Sequence, residues 1–274
     1  MALRHGSRRL DFQQTRVMGV LNTTPDSFSD GGRYTQPERL AKRITEMLVA
    51  GVDVIDVGGE STRPGAQPVS VDEELSRVIP AIEAIRQQSD VWISVDTSTP
   101  DVMAAAVAAG ADWINDVRAL SREGALSMAA SLDVPVCLMH MQGQPGTMQQ
   151  NPEYDDVVAQ VSGYLAKRVD IALRAGVKRE HIVLDPGFGF GKSFAHNVAL
   201  FRALPQLLAL GFPLLVGVSR KTMLGDITGK PIAQRGTASV AAALLAAQHG
   251  VQMVRVHDVD ETVDALNVWR ALKN

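Results

Sequence analysis

The chain has 274 residues, of which 46% are hydrophobic and 21% are charged. A chain of this size and composition can bury a large core without disulfides or a structural metal, so we expect a single domain over residues 1–274, with residues 1–14 as a lead-in. A net charge of −3 excludes a broad basic surface of the kind that binds nucleic acid or an anionic membrane.

The N-terminal residues 1–10 include arginines but lack the apolar core of a signal peptide. No later stretch approaches the roughly 18 apolar residues of a membrane span. The only cysteine, Cys137, lies in an apolar run and is expected to be a buried thiol, since no internal disulfide is possible. We therefore expect a cytoplasmic protein with neither a membrane nor a nucleic-acid partner.

Short runs rich in Val, Ile and Leu recur along the chain, and a helical stretch follows each of them. Their hydrophobicity is continuous rather than alternating, which is typical of parallel strands that are buried on both faces. Glycine follows four of the predicted helices in the same way, at Gly51, Gly110, Gly176 and Gly250, which indicates a weak repeat of one β/α unit. The predicted strands are 17–21, 54–57, 91–95, 113–115, 135–139, 181–184, 214–217 and 253–256.

Eight β/α units in a chain of this length predict an α/β fold, a single (β/α)8 TIM barrel. The active site of such a barrel lies where the carboxyl ends of the strands meet the loops that follow them. A doubly wound open sheet is the alternative. The uniformity of the units and the lack of an obvious second domain favour the barrel.

Polar residues end or follow nearly every predicted strand. One polar residue at a strand end is ordinary, but a ring that contains Asn, Asp, Lys, Arg and His on one rim indicates a site. Carboxylates accept hydrogen bonds from the N–H groups of a ligand, and Lys and Arg donate to carbonyl or phosphate oxygens. This mixture predicts a flat, amide-like heterocycle that carries an anion. The residues are Asn22, Asp56, Asp96, Asn115, His140, Asp185, Ser219, Arg220, Lys221, Arg255 and His257.

Two connections, residues 22–36 and 58–70, are too long for simple turns between a strand and a helix. Long loops in a compact barrel are usually functional, and the hydroxyls, arginine and glycines here suit mobile loops that close over a phosphate. Asp26, Asp30 and Ser61 are the residues expected to take part in loop closure.

Two other motifs are given little weight. The segment 189–193 has the tail of a phosphate-binding loop, but proline stands at position 186, where that loop requires its first glycine. Gly187 and Gly189 are instead expected to turn the chain sharply, so that Asp185 and Phe190 reach the site. The histidines form no sequence-local metal motif, so zinc catalysis is not expected, and His5 is placed in a loose tail.

Taken together, eight segments resemble those of bacterial dihydropteroate synthases, which are pterin-binding TIM barrels. The likeness runs in the same order from about residue 15 to the C-terminus. The segments are 18–32 (MGVLNTTPDSFSDGG), 55–65 (IDVGGESTRPG), 94–97 (SVDT), 114–117 (INDV), 139–142 (MHMQ), 184–192 (LDPGFGFGK), 218–221 (VSRK) and 255–258 (RVHD).

The resemblance implies a reaction of folate biosynthesis. In it, 4-aminobenzoate displaces pyrophosphate from 6-hydroxymethyl-7,8-dihydropterin diphosphate and gives 7,8-dihydropteroate, with Mg2+ assisting. Loss of pyrophosphate first, through a dissociative path, is the mechanism we expect, because the electron-rich pterin can delocalise the cation. The resemblance also implies a homodimer and competitive inhibition by sulfonamides, which imitate 4-aminobenzoate.

The same resemblance assigns residues to roles. The catalytic set is Asp96, Asp185, Lys221 and Arg255. The pterin would contact Asp96, Asn115, Asp185, Lys221, Phe190, Met139 and Gly217. The diphosphate would contact Asn22, Thr62, Arg63, Arg255 and His257, with Asn22 also the Mg2+ ligand. The 4-aminobenzoate would contact Phe28, Thr62, Pro64, Phe190, Ser219, Lys221 and Thr222.

Three other functions remain open at this point. One is a methyltetrahydrofolate-binding barrel that passes a methyl group to a corrinoid protein, and it would hold the pterin with a similar Asp and Asn pair. The others are a catalytically silent pterin-binding paralogue and a plain phosphate-binding barrel. The two long loops, with Lys221 and Arg255, favour a site for a diphosphate and a second aromatic substrate.

Overall fold

The computed structural model describes residues 1–23, 36–61, 69–144 and 146–273. Its strands are β1 (Ala2–His5), β2 (Arg8–Asp11), β3 (Arg16–Asn22), β4 (Val54–Gly58), β5 (Trp92–Asp96), β6 (Trp113–Asp116), β7 (Val136–Met139), β8 (Ile182–Asp185), β9 (Leu215–Val216) and β10 (Met253–Val256). Its α-helices are α1 (Gln36–Val49), α2 (Val71–Gln88), α3 (Pro100–Ala108), α4 (Ala125–Leu132), α5 (Val157–Arg174), α6 (Phe194–Arg202), α7 (Leu204–Leu208), α8 (Thr222–Thr228), α9 (Gly236–Gln248) and α10 (Val259–Leu272).

Strands β3 to β10 form one parallel sheet of eight strands in the order β8-β7-β6-β5-β4-β3-β10-β9. The two ends of this sheet meet, because a parallel bridge joins Leu184 to Leu214 and the Leu184 amide donates to the Pro213 carbonyl at 2.9 Å. The sheet therefore closes on itself. The predicted barrel is confirmed, and the open-sheet alternative is wrong.

Side chains inside the barrel are apolar near the N-terminal ends of the strands and polar near the C-terminal ends. Val54, Trp113 and Val183 belong to a buried cluster that is distinct from the larger core between strands and helices. Two positions further along the same strands stand Asp56, Asn115 and Asp185. Because alternate residues of a strand face the interior, the polar residues stack directly above an apolar floor.

The first eleven residues form a hairpin, so the prediction of a loose tail around His5 is wrong. Strands β1 and β2 pair antiparallel, and Leu3 and Leu10 are buried against the barrel floor. The Arg8 guanidinium donates to both carboxylate oxygens of Asp112 at 3.1 and 3.0 Å, next to the start of β6. The hairpin therefore covers the end of the barrel opposite the predicted site.

Two smaller expectations also hold. Cys137 is fully buried in the barrel interior, where burial raises the pKa of its thiol. Gly51 and Gly250 adopt φ values of 80° and 86° after their helices, which is the left-handed backbone that favours glycine. Among the residues that the structure describes, no helix has the length and apolarity needed to cross a membrane.

Candidate active site

A row of residues in register lies across four neighbouring strands at their C-terminal ends. Asn22 pairs with Gly58, Gly58 with Asp96, and Asp96 with Asn115. A β-carbon placed on Gly58 would lie 3.7 Å from Asn22 Oδ1 and 3.9 Å from Asp96 Oδ2. Because Gly58 has no side chain, the rim is open between the side-chain oxygens of Asn22 and Asp96.

Arg255 contacts two carboxylates inside the barrel. Its Nε donates to Asp56 Oδ2 at 2.6 Å, and its Nη2 donates to Asp96 Oδ2 at 2.9 Å. The amide nitrogen of Asn115 donates to the same Asp56 oxygen at 3.2 Å. Asp56 and Asn115 are buried, so these hydrogen bonds offset part of the cost of removing them from water, while Asp56 Oδ1 has no hydrogen-bond partner among the described residues. Asp56 therefore fixes the positions of both Arg255 and Asn115.

The charges in this group influence one another. Burial raises the pKa of Asp96 to about 7, and Arg255 opposes that rise while Asp56 adds to it. Burial alone would lower the pKa of Arg255, but Asp56 and Asp96 together hold it above its usual range. Arg255 is therefore a permanent cation, whereas Asp96 carries a proton more readily than an ordinary aspartate.

Asp185 lies at the tip of β8 and is buried. Its Oδ1 accepts a hydrogen bond from the Gly187 amide at 2.7 Å. Burial raises the pKa of the Asp185 carboxyl, and this amide and the positive charge of Lys221 counteract the rise. The Lys221 ammonium lies 4.1 Å from the centre of the Phe190 ring, in a cation–π contact. Asp185, Lys221 and Phe190 thus form one wall of the site.

Ser219 and His257 are joined on the wall formed by β9 and β10. The His257 amide donates to Ser219 Oγ at 3.2 Å, and Oγ lies 3.0 Å from His257 Nδ1. Oγ can donate its hydrogen to Nδ1, and in that tautomer the neutral ring carries its proton on Nε2. Burial, with the nearby positive charge of Arg255, lowers the pKa of His257 to about 3. The ring is therefore neutral.

Some of the remaining predicted residues are described by the structure, and the others lie outside the described residues. Met139 ends β7 and is buried, and Thr222 begins α8 on the surface. A β-carbon placed on Gly217 would lie 3.8 Å from the Arg255 β-carbon. Ser61 is half-buried and follows Glu60. The other predicted contacts lie outside the described residues, and these are Asp26, Phe28, Asp30, Thr62, Arg63 and Pro64.

Two contacts were not predicted from the sequence. Asp56 was recognised as a polar strand residue, but nothing local to its sequence indicates its contacts with Arg255 and Asn115. The second is Lys192, whose ammonium is buried and lies 2.9 Å from His140 Nδ1. Lys192 Nζ donates to the carbonyls of Gly187 and Phe190, which is unlike a phosphate-binding loop and agrees with the rejection of that motif.

The oxygen donors of the site decide whether it fits Mg2+. Mg2+ takes oxygen ligands, and it is usually held by one or two protein groups together with water and phosphate. Within the described ranges, no group of three or more His, Cys, Asp and Glu side chains could hold a metal ion. The Asn22 amide oxygen beside Gly58 fits an ion that is bound mainly through a phosphate-bearing substrate.

Comparison with known proteins accords with this geometry. The family model described as pterin binding enzyme matches residues 18–257. The chain belongs to the family of pterin binding enzymes. The curated dihydropteroate synthase of Haemophilus influenzae is 48% identical over 274 residues, with 100% of each chain covered.

Solved structures give the same result. A dihydropteroate synthase of Xanthomonas albilineans, solved with 4-aminobenzoic acid, has a TM-score of 0.94 and 52% identity and covers 99% of this chain and 98% of its own. A Yersinia pestis dihydropteroate synthase in a sulfonamide drug complex has a TM-score of 0.92 and 49% identity, with 99% and 98% covered. The resemblance to dihydropteroate synthases is confirmed.

Proposed function

We propose that this chain is a dihydropteroate synthase, a transferase that joins 4-aminobenzoate to 6-hydroxymethyl-7,8-dihydropterin diphosphate with release of pyrophosphate. The observation that carries the proposal is the Arg255 guanidinium, which contacts Asp56 and Asp96 inside a barrel of the pterin-binding family. Buried carboxylates beside permanent cations suit a ligand with N–H donors at one end and a diphosphate at the other.

The pterin would lie within the barrel mouth, on the floor formed by the apolar layer. Asp185 would accept hydrogen bonds from the 2-amino group and N3 of the ring, and Asn115 and Asp96 would contact the opposite edge. Lys221 would donate to the ring carbonyl, with Phe190, Met139 and Gly217 completing the walls. The burial of Asp185 and Asn115 supports these roles, because a desolvated acceptor gains more from each ligand hydrogen bond.

The diphosphate would lie at the rim, next to Arg255, His257 and Asn22, with Thr62 and Arg63 contributing from the second loop. The neutral His257 ring would donate through Nε2, and Asn22 would hold Mg2+ through its amide oxygen. When bound, Mg2+ would neutralise negative charge on the pyrophosphate group. Arg255 contacts Asp96 as well, so the same guanidinium connects the proposed pterin and diphosphate regions.

The 4-aminobenzoate would bind near Phe190, Ser219, Lys221 and Thr222, with Phe28, Thr62 and Pro64 supplied by the two long loops. Asp26, Asp30 and Ser61 would take part in closing those loops. The Xanthomonas albilineans structure was solved with 4-aminobenzoic acid and the Yersinia pestis structure in a sulfonamide drug complex, which supports competitive inhibition of this chain by sulfonamides.

The reaction would begin by breaking the bond between the exocyclic methylene carbon and the bridging oxygen of the diphosphate. The electron pair leaves with the oxygen, and the dihydropterin ring delocalises the resulting cation. Asp96 and Asp185 would stabilise that cation, while Arg255 and His257 would stabilise the departing anion. The amine of 4-aminobenzoate then attacks the methylene carbon and loses a proton. Closed loops would keep water from attacking first.

Location and assembly are further parts of the proposal. We place the protein in the cytoplasm, where folate precursors are made, as a homodimer like others of its family. The exposed side chains of Phe194, Ile227, Ile232 and Leu245 are apolar and lie on neighbouring helical segments, which supports an apolar contact between copies. Light scattering on the purified protein would measure the oligomeric state.

A pyrophosphate-release assay tests the proposed function and separates it from the alternatives. We expect sustained release from the pterin diphosphate only when 4-aminobenzoate is present, with one dihydropteroate formed for each pyrophosphate. A methyltransferase domain or a silent paralogue would bind pterin without release. A plain phosphate-binding barrel would not bind the pterin, and either result would overturn the proposal.

A further inference from the structure

Lys192 is a buried lysine that the proposed reaction does not use, and burial lowers the pKa of its ammonium to about 7. Its side chain projects into the loop that follows β8, and the residue is only 3% exposed. The ammonium donates to the Gly187 carbonyl at 2.8 Å and to the Phe190 carbonyl at 3.0 Å, and its third close partner is His140 Nδ1 at 2.9 Å. Three N–H groups therefore meet three acceptors, which is the full donor capacity of an ammonium.

His140 can accept this hydrogen bond only as a neutral imidazole. Burial, with the charge of Lys192 adding to it, lowers the pKa of His140 to about 3, so Nδ1 keeps its lone pair. The ring is packed edge-on against Tyr164 at 4.9 Å between centroids and is tilted against Tyr154 at 6.1 Å. Tyr164 belongs to α5, so part of the packing that positions the acceptor comes from outside the loop after β8.

Two of the groups that Lys192 contacts also hold Asp185. The Gly187 amide donates to Asp185 Oδ1 at 2.7 Å, and the His140 amide donates to the Asp185 carbonyl at 2.9 Å. Lys192 binds the other side of both residues, since it donates to the Gly187 carbonyl and lies 3.4 Å from the His140 carbonyl. Gly187 therefore links the ammonium to the Asp185 carboxylate, and His140 links it to the Asp185 carbonyl.

The loop lies so close to β7 that no side chain could stand at its first glycine. A β-carbon on Gly187, at φ 69°, would lie 1.8 Å from the His140 carbonyl oxygen. This close approach brings the His140 carbonyl, directly after β7, near the carbonyls of Gly187 and Phe190 in the loop. Buried carbonyls need a hydrogen-bond donor. Lys192 supplies that donor, and in its protonated form the positive charge strengthens each hydrogen bond.

We infer that Lys192 is a positioning residue for pterin binding, whose ammonium ties the loop after β8 to the tip of β7 and so fixes the Asp185 carboxylate in its ligand-binding orientation. This inference rests on the proposed function of the site. Phe190 also contacts Lys192 through its carbonyl, but its side chain has a separate contact, because its ring lies against Lys221. The effect should therefore fall mainly on the pterin and less on 4-aminobenzoate.

Lys192→Met tests the inference, since methionine has a similar length and no charge. We expect the KM for the pterin diphosphate to rise by about tenfold or more, the effect of losing one charge-assisted hydrogen bond, and the KM for 4-aminobenzoate to change by less than about threefold. Lys178→Met, which removes an exposed lysine paired with Asp133, is the matched control and should leave both constants unchanged. Equal changes in both constants, or no change in the pterin constant, would overturn the inference.

A double-mutant cycle separates positioning from general destabilisation. Measured as kcat/KM for the pterin diphosphate, Lys192→Met should cost about tenfold in the wild-type background and less than about threefold in Asp185→Asn, because the residue that it positions has already lost its charge. Additive losses would mean that Lys192 does not act through Asp185.

If Lys192→Met does not fold, His140→Phe keeps an aromatic ring at this position and removes the Nδ1 acceptor together with Nε2. The pterin KM should then rise by about threefold or more, and an unchanged value would contradict the inference. Wild-type turnover is measured first, so loss of the proposed function itself would be recognised before any variant is compared.

Discussion

The guanidinium of Arg255 donates to Asp56 Oδ2 at 2.6 Å, although the two residues are 199 positions apart in the chain. They lie on β10 and β4, which β3 separates in the sheet, so the contact is made through the barrel interior. Arg255 is thus held by carboxylates of the protein itself. A cation positioned in this way need not be reorganised when an anionic group binds, which is the condition for strong electrostatic stabilisation.

Removing this cation should destabilise the fold as well as the site. Arg255→Met leaves Asp56 and Asp96 close together without a counter-charge, which should cost about 3 to 5 kcal/mol in the free energy of unfolding. Arg202→Met removes an exposed arginine and should change it by less than about 0.5 kcal/mol. Urea unfolding measures both variants. Equal stability of the two would mean that Arg255 does not compensate the buried carboxylates.

The raised pKa of Asp96 predicts a pH-dependent stability difference. Because burial raises this pKa from its usual 3.8 to about 7, ionising Asp96 costs the folded state free energy. The penalty is absent below about pH 4, grows as the pH rises towards 7 and is then constant. Asp96→Asn should therefore gain stability over the wild type across this range, by roughly 2 to 4 kcal/mol.

Unfolding titrations at pH 4.5 and pH 8 would measure this difference. A constant offset between Asp96→Asn and the wild type would show that the carboxyl titrates at its ordinary pKa.

The N-terminal hairpin should contribute to stability without affecting the site. Leu3 is fully buried in the barrel floor, so Leu3→Ala should lower the free energy of unfolding by about 2 to 4 kcal/mol. Arg4→Ala changes an exposed neighbour on the same strand and should be nearly neutral. Both variants should keep the wild-type KM values. Unfolding curves and steady-state kinetics measure these effects, and a stability loss no greater than that of Arg4→Ala would count against the packing described.

The barrel could be predicted because eight apolar runs, and the glycines that follow four of the helices, are local features of the sequence. The hairpin could not be, because strands as short as β1 and β2 are stabilised by burial of Leu3 and Leu10 against residues far along the chain. The predicted strands are apolar at nearly every position because both faces of each strand are buried. Alternate side chains pack against the helices, and those between them pack inside the barrel, so the sequence shows no alternation of polar and apolar residues.

The residues of the site could be predicted from the sequence, but most of their contacts could not. Strand-tip residues such as Asp185 and Arg255 stand at positions where any barrel places functional groups, and the family resemblance supplied their expected roles. The partners of Arg255 were not predictable, because which residues meet across a barrel depends on sheet register and closure. The contacts of Lys192 could not be predicted either, because its sequence context resembles a phosphate-binding loop. Only the structure shows that its ammonium binds carbonyl groups and His140.

The dissociative reaction path has a direct isotopic consequence. If the bond to the bridging oxygen breaks first, enzyme-bound pyrophosphate can rotate and recombine with the cation, and label at that oxygen will move to non-bridging positions. We expect this exchange in the absence of 4-aminobenzoate, as detected by phosphorus NMR of recovered substrate. Absence of exchange, together with a strict requirement for 4-aminobenzoate in bond cleavage, would favour direct displacement instead.

The central claim is that the polar ring inside the barrel mouth binds the pterin, with Asp185 as its main acceptor. Calorimetric titration of 6-hydroxymethyl-7,8-dihydropterin diphosphate into wild type and Asp185→Asn tests this claim most directly, with circular dichroism confirming that both are folded. Asparagine presents an N–H group where the ring needs an acceptor, so binding should weaken by about a hundredfold. Unchanged binding by folded Asp185→Asn would contradict the account.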